Sequence, residues 1–102
     1  MATEVTLEEL EDAIKRGGYV LDVREQDEWN EGHVPGAHHI PLGELENRID
    51  AVEDGSRVFV VCRSGKRSLQ GADILESNGI DAVSVAGGTL GWIHSGREVI
   101  VD

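Results

Sequence analysis

Arg57–Ser68, RVFVVCRSGKRS, constrains this chain more than any other stretch. Val58-Phe59-Val60-Val61 is a run of β-branched and aromatic residues that stops at Cys62, the only cysteine. A short apolar run of this composition predicts a strand covered on both faces, as in a parallel sheet. Arg63-Ser64-Gly65-Lys66-Arg67-Ser68 comes next, and apolar residues then return at helical spacing. The order is strand, tight cationic loop, helix, with a thiol at the carboxyl end of the strand. In open α/β sheets, ligands bind at such ends.

The placement has chemical consequences for the thiol. Amides of a loop leading into a helix turn their N–H groups inward, and the helix dipole adds partial positive charge there. Arg63, Lys66 and Arg67 lie within five residues of the sulfur. All of these favour the thiolate, which is the nucleophilic form. The opposing reading is an inert buried cysteine, which behaves as a small hydrophobe. The cationic, glycine-containing loop argues against it. Gly65 is expected to adopt a positive φ inside the loop.

The remaining segments read as alternating strands and helices. Thr6-Leu7-Glu8-Glu9 is a capping box after a short edge strand at Glu4-Val5, and Leu7, Leu10 and Ile14 line the helix it opens. Gly17-Gly18 ends that helix, and Tyr19–Val23 is a second buried strand. Gln26–Glu31 predicts a short helix around Trp29, His33-Val34-Pro35-Gly36 a turn, and Ala37–Ile40 a short strand. Leu42, Leu45, Ile49 and Val52 predict a further amphipathic helix closed by Asp54-Gly55. A helix from about Lys66 to Ser77 turns Leu69, Ala72 and Leu75 inward and stops at Asn78-Gly79. Val83–Val85 is the next strand, Gly87-Gly88 a tight turn, Thr89 the cap of a last short helix carrying Trp92, and Arg97 onward an extended tail. The expected fold is therefore α/β: one domain over residues 1–102, with a mostly parallel sheet and helices on both faces.

Charge narrows the partners. The net charge is −11, which argues against nucleic acid. Four of the nine basic residues, Arg57, Arg63, Lys66 and Arg67, fall between Asp54 and Asp73, a stretch with no acid. An acidic body with one cationic loop concentrates small anions at the loop. No apolar run approaches a membrane span, and Met1 leads into polar, acidic sequence rather than a signal peptide. A single cysteine leaves no internal disulfide and fits a reducing compartment, so the cytoplasm is the expected location.

At these residues the chain resembles the rhodanese-like sulfurtransferases. VCRSGKRS is similar to their active-site loop, LDVREQDEWNEGHVPGAHHIPLGEL (Leu21–Leu45) to their upstream signature, and GADILESNGI…VAGGTLGW (Gly71–Trp92) to their downstream part. The resemblance implies a three-layer fold around about five strands. It also implies a persulfide on Cys62, cradled by Arg63, Ser64, Gly65, Lys66, Arg67 and Ser68. A sulfane donor such as thiosulfate would load it with release of sulfite, and cyanide or an external thiol would take the sulfur away. With no second cysteine, the acceptor thiol must come from a small molecule or a protein partner, with ping-pong kinetics. Arg67 is expected to fix the donor anion and brace the loop, since a guanidinium can make two parallel bonds to an oxyanion. Arg63 and Lys66 are expected to face outward and steer, or in the case of Lys66 to be only a solvated charge.

Other readings stand beside this one. Cysteine-dependent phosphatases on a related fold place their arginine six positions after the cysteine, whereas Cys62 and Arg67 are five apart. By resemblance the shorter loop suits one extra sulfur rather than phosphate or arsenate. A non-catalytic binding or sulfur-carrier module of a larger system is the third reading. Asp22 and Arg24 are expected to brace neighbouring loops by ion pairing rather than to react, and His33 to act as a hydrogen-bonding brace. His38 and His39 would point to opposite faces of a strand, so a shared metal is not expected; no cofactor is implied. Trp29 and Trp92 are read as core aromatics, with the border of the pocket as the alternative place for Trp92.

Overall fold

The computed structural model describes residues 2–52 and 55–101. Asp54, expected to close the helix after Leu42, lies outside them. Five strands, β1 (Thr3–Val5), β2 (Tyr19–Asp22), β3 (His38–His39), β4 (Val58–Val61) and β5 (Ala82–Val85), form one parallel sheet in the order β1-β5-β4-β2-β3. The Val58–Val61 run is its central strand, which is why both of its faces are apolar. Val58, Val60 and Cys62 turn to one face, and Phe59 and Val61 to the other.

The helices α1 (Leu7–Lys15) and α5 (Gly88–His94) touch each other and cover the Phe59 face, where Leu10 and Trp92 join the core. On the Cys62 face, α3 (Leu42–Leu45) packs on α4 (Lys66–Ser77), and Leu45, Ala72 and Leu75 are buried there. The remaining helix, α2 (Gln26–Glu31), follows β2. The Thr6 capping box forms as expected: Glu9 N–H donates to Thr6 Oγ1 at 3.1 Å and Thr6 N–H to Glu9 Oε1 at 3.2 Å.

Three expectations need correction. The segment from Leu42 is a single α turn followed by a 3-10 stretch, Glu46–Ala51, broken at Arg48 (φ −126°, ψ 25°). Its apolar residues still pack on the Cys62-face core. Isolated helices this short are marginal, so packing rather than propensity sets the backbone pitch. Thr89 is inside α5, not its cap; the cap is Gly87, with Gly88 beside it, both at positive φ. Trp29 is half-buried rather than a core residue. It lies between the rings of His33 and His39, with centroids 3.5 and 4.8 Å away. The predicted tail also has a definite place, since Ile100 bridges His33 in antiparallel fashion.

The topology selects the site. After β2 the chain moves outward to β3, whereas after β4 it moves the opposite way to β5. The carboxyl ends of β2 and β4 therefore flank the crevice where the winding reverses, the usual ligand position in such sheets.

Candidate active site

Cys62 directly follows β4, and residues 63–65 join it to α4, whose N-cap is Gly65. Gly65 has φ +118°, a conformation open to glycine at little cost, as expected. That conformation aims its N–H at Cys62 Sγ, 3.0 Å away. The amino end of the twelve-residue α4 lies beside the same atom, so its dipole favours negative charge there.

Beneath the sulfur is a polar chain unusual for a parallel-sheet core. The Cys62 S–H donates to Ser68 Oγ at 3.4 Å, and Ser68 donates to Gly65 O at 3.1 Å. Ser84 Oγ on β5 is 2.7 Å from Ser68 Oγ, and both serines are fully buried. With Ser68 donating to Gly65, Ser84 is left as the donor between the two. A hydroxyl can rotate, so Ser68 accepts from a thiol and can donate to a thiolate. Ser84 escaped the sequence reading; a lone serine inside Ala82-Val83-Ser84-Val85 was the signal available.

The loop is held from two further sides. The start of α5 presses on its backbone: Thr89 N–H donates to Cys62 O at 2.8 Å and Leu90 N–H to Arg63 O at 3.0 Å. Gly88 allows this approach, because a Cβ there would overlap Cys62 O and come within 2.8 Å of Arg63 O. All peptide bonds described are trans, so each N–H opposes the carbonyl of its own peptide unit. The two carbonyls that face α5 thus turn the Arg63 and Ser64 N–H groups away from α5, toward the loop's own side. The Gly-Gly pair is a tight turn and part of the downstream resemblance in the sequence, neither of which signals its contact with the loop.

On the other side, Arg67 makes two parallel bonds to Glu28 on α2, Nη1 to Oε1 at 2.7 Å and Nη2 to Oε2 at 2.8 Å. The Glu25 N–H donates to Oε1 as well, at 3.0 Å. The Arg67 bond, opposed by partial burial and helped by the Glu25 amide, pulls the Glu28 carboxyl down to about 2. The same bond raises Arg67 above its ordinary value. Arg67 is thus engaged as a brace, and its fork is occupied by protein rather than free for an anion. Glu28 was not foreseen as its partner.

Behind the loop, Arg24 pairs with Asp22 at 2.9–3.0 Å and donates to Gly32 O at 2.8 Å, both side chains being buried. The pair ties the end of β2 to the end of α2. His33 is buried with Nδ1 3.2 Å from Trp29 O, and His39 Nε2 lies 2.8 Å from Arg24 O. Arg63, Ser64 and Lys66 are exposed, whereas Cys62 is 1% exposed. The hydrogen-bond partners of the sulfur are Gly65 of the loop and Ser68 of α4. Among the described residues no cluster of His, Cys, Asp and Glu could hold a metal ion.

A family model for the rhodanese-like domain matches residues 6–95. The chain belongs to this family. YrkF of Bacillus subtilis, named for a sulfur-carrier role, is 38% identical over 74 residues, spanning 72% of this rhodanese-like chain and 40% of YrkF. The thiosulfate sulfurtransferase PspE of Escherichia coli is 41% identical over 70 residues, 67% of either chain. A rhodanese-related protein from Thermoplasma volcanium superposes with a TM-score of 0.91 at 31% identity, covering 98% of this chain and 99% of that one. The parallel five-stranded sheet is thus the rhodanese-like fold. Relatives named as sulfurtransferases or sulfur carriers place the chain in a sulfur-transfer family.

Proposed function

We propose that this protein is a sulfurtransferase in which Cys62 carries a persulfide between an anionic sulfane donor, such as thiosulfate, and an external thiol or cyanide. The observation that carries the reading is the Gly65 N–H aimed at Cys62 Sγ at the amino end of α4, on a loop in which Arg67 stands five positions after Cys62. The Cys62 thiolate attacks the outer sulfur of thiosulfate, and the departing sulfite keeps the electron pair of the broken S–S bond. Negative charge then sits where loop amides and the α4 dipole favour it, which stabilises the persulfide electrostatically. Ser68, released from accepting the S–H, can turn its own hydrogen toward the sulfur. Arg63 and Lys66, both exposed, supply the positive field that draws in the donor. Arg67, Asp22, Arg24 and His33 hold the frame. The short loop suits one added sulfur and not a phosphate ester. No helix among the described residues is long and apolar enough to cross a membrane, and a reducing cytoplasm fits the free thiol.

The burial of Cys62 favours a second reading, a carrier or binding module that does not turn over. Intact-mass measurement after thiosulfate treatment decides between them. The catalyst gains one reducible sulfur atom on Cys62 and returns to its starting mass when a thiol is added. Cys62→Ser gains none while keeping the circular-dichroism spectrum of the parent. A wild-type mass that never changes rejects the transfer reading.

A further inference from the structure

Ser84 is a buried polar residue that the fold does not require. β5 pairs with β1 and β4 through backbone groups, and Ala82, Val83 and Val85 around Ser84 are all buried and apolar. A hydroxyl at such a position is costly unless it is hydrogen-bonded. Ser84 lies opposite Val60 on β4 and so faces the same side of the sheet as Val60 and Cys62. Its hydroxyl has one hydrogen-bond partner among the described residues, Ser68 Oγ at 2.7 Å, and Ser68 is fully buried as well.

That single partner fixes the direction of the hydrogens. A serine hydroxyl donates once and accepts twice. If Ser68 donated to Ser84, the Ser84 hydrogen would be left in the core without an acceptor, and an unsatisfied buried donor is strongly unfavourable. Ser84 is therefore the donor whatever the state of the sulfur, and the Ser68 hydrogen is never taken by Ser84. It goes to Gly65 O, 3.1 Å away, while the thiol donates to Ser68. Once the sulfur is an anion it can go to Cys62 Sγ, 3.4 Å away. Gly65 O is not orphaned by that turn, because Gly65 is the N-cap of α4 and an N-cap carbonyl accepts the first hydrogen bond of its helix. A hydroxyl that accepts one hydrogen bond also donates a stronger one.

We infer that Ser84 is a positioning residue for sulfur transfer: its constant donation to Ser68 directs the Ser68 hydrogen to Cys62 Sγ whenever negative charge appears there. This rests on the transfer reading above. In discharge, the acceptor thiol loses its proton to solvent and its thiolate attacks the outer sulfur of the Cys62 persulfide. The S–S bond to Cys62 breaks with its electron pair remaining on Sγ, and the acceptor leaves as its own persulfide, with no oxidant or reductant consumed. The Ser68 hydrogen turns from Gly65 O to Sγ as that charge forms, so Cys62 is the better leaving group.

The test compares wild type, Ser84→Ala, Ser68→Ala and the double variant as full chains, each checked for folding by circular dichroism. The charged groups of the loop and of the elements packed on it are the same in all four. They are Asp22 with Arg24, Glu28 with Arg67, and the exposed Arg63 and Lys66, while β5 and the first turn of α5 carry none. Ultraviolet thiolate absorbance across pH reads the proton affinity of Sγ without a reagent having to reach the buried sulfur. Ser84→Ala should raise that affinity about threefold, and should add nothing once Ser68 is already alanine. No rise, or the same rise in both backgrounds, overturns the inference, since a merely structural serine would act without Ser68. In a second measurement, thiosulfate-loaded protein is discharged by excess 2-mercaptoethanol. Ser84→Ala should slow this step about twofold when Ser68 is present and not when it is alanine. An unchanged rate also overturns the inference. Failure of thiosulfate to load Cys62 would instead sink the transfer reading, and the absorbance titration still decides the role of Ser84.

Discussion

Replacing Glu28 by Gln removes a charge from the brace of the loop while leaving most of its shape. The amide oxygen can still accept from the Glu25 N–H and from one arm of Arg67, so the change removes the charge and one of the two bonds of the bidentate pair. The Glu28 carboxyl lies at about 2 against an ordinary 4.5. A shift of that size corresponds to about 3 kcal/mol in the absence of screening. The Arg67 and Glu28 side chains are 33% and 22% exposed, so water screens the pair. About 1–2 kcal/mol is the expected loss at neutral pH. For a domain of this size that lowers Tm by roughly 4–8 °C per kcal/mol.

The pH dependence gives the test its sign. A carboxylate whose value is lowered by folding binds protons more readily in the unfolded chain. Its stabilisation is complete above the unfolded value of 4.5 and is lost as pH falls toward about 2. Urea unfolding of wild type and Glu28→Gln at about pH 7, 5, 4 and 3 should show a gap that is constant at the upper two and shrinks at the lower two. A gap that stays the same at about pH 3, or one too small to measure at about pH 7, refutes the ionic brace.

Gly88→Ala pushes a methyl into the Cys62 carbonyl and imposes a positive φ on alanine, so stability should drop by about 1–3 kcal/mol. Sulfur loading, followed by intact mass, should fall further than that loss of folded protein explains; normal loading kinetics would show that α5 does not orient the loop. Asp22→Asn leaves the buried Arg24 charge unbalanced and should cost on the order of 3 kcal/mol in chemical denaturation. A loss below about 1 kcal/mol would mean that water or another acid compensates Arg24. Lys66→Ala, at an exposed position, should change stability by less than about 0.5 kcal/mol. It should also slow thiosulfate loading less than Arg67→Ala does, and equal small losses for the two would count against the brace.

Backbone order was legible because it is written in local patterns. The β-branched run, the glycine stops and the helical spacing of Leu69, Ala72 and Leu75 all report on neighbours in the chain. The Leu42–Val52 spacing also reported the correct inward face, although it carries no information on whether the backbone winds as α or 3-10. The partners of the site lie far apart in sequence, and no periodicity encodes them. Arg67 finds Glu28 thirty-nine residues away and Ser68 meets Ser84 sixteen away. The loop alone therefore suggested an arginine free for the donor, whereas the folded chain fills its fork with a carboxylate.

That occupied fork changes what the cationic loop can do. With Arg67 tied to α2, the Cys62 and Arg63 carbonyls tied to α5, and Ser68 tied to β5, the backbone around the sulfur is fixed by three separate elements. A site preorganised in this way needs little rearrangement when charge appears, which is the condition for strong electrostatic stabilisation. The same rigidity limits what enters. The sulfur is already buried, and widening the ring to admit a tetrahedral oxyanion would break bonds on more than one of these sides. On the proposed function, selection of sulfur over phosphate would reside in the elements clamped around the loop as much as in its length, and releasing a clamp should damage sulfur loading before it admits a larger anion.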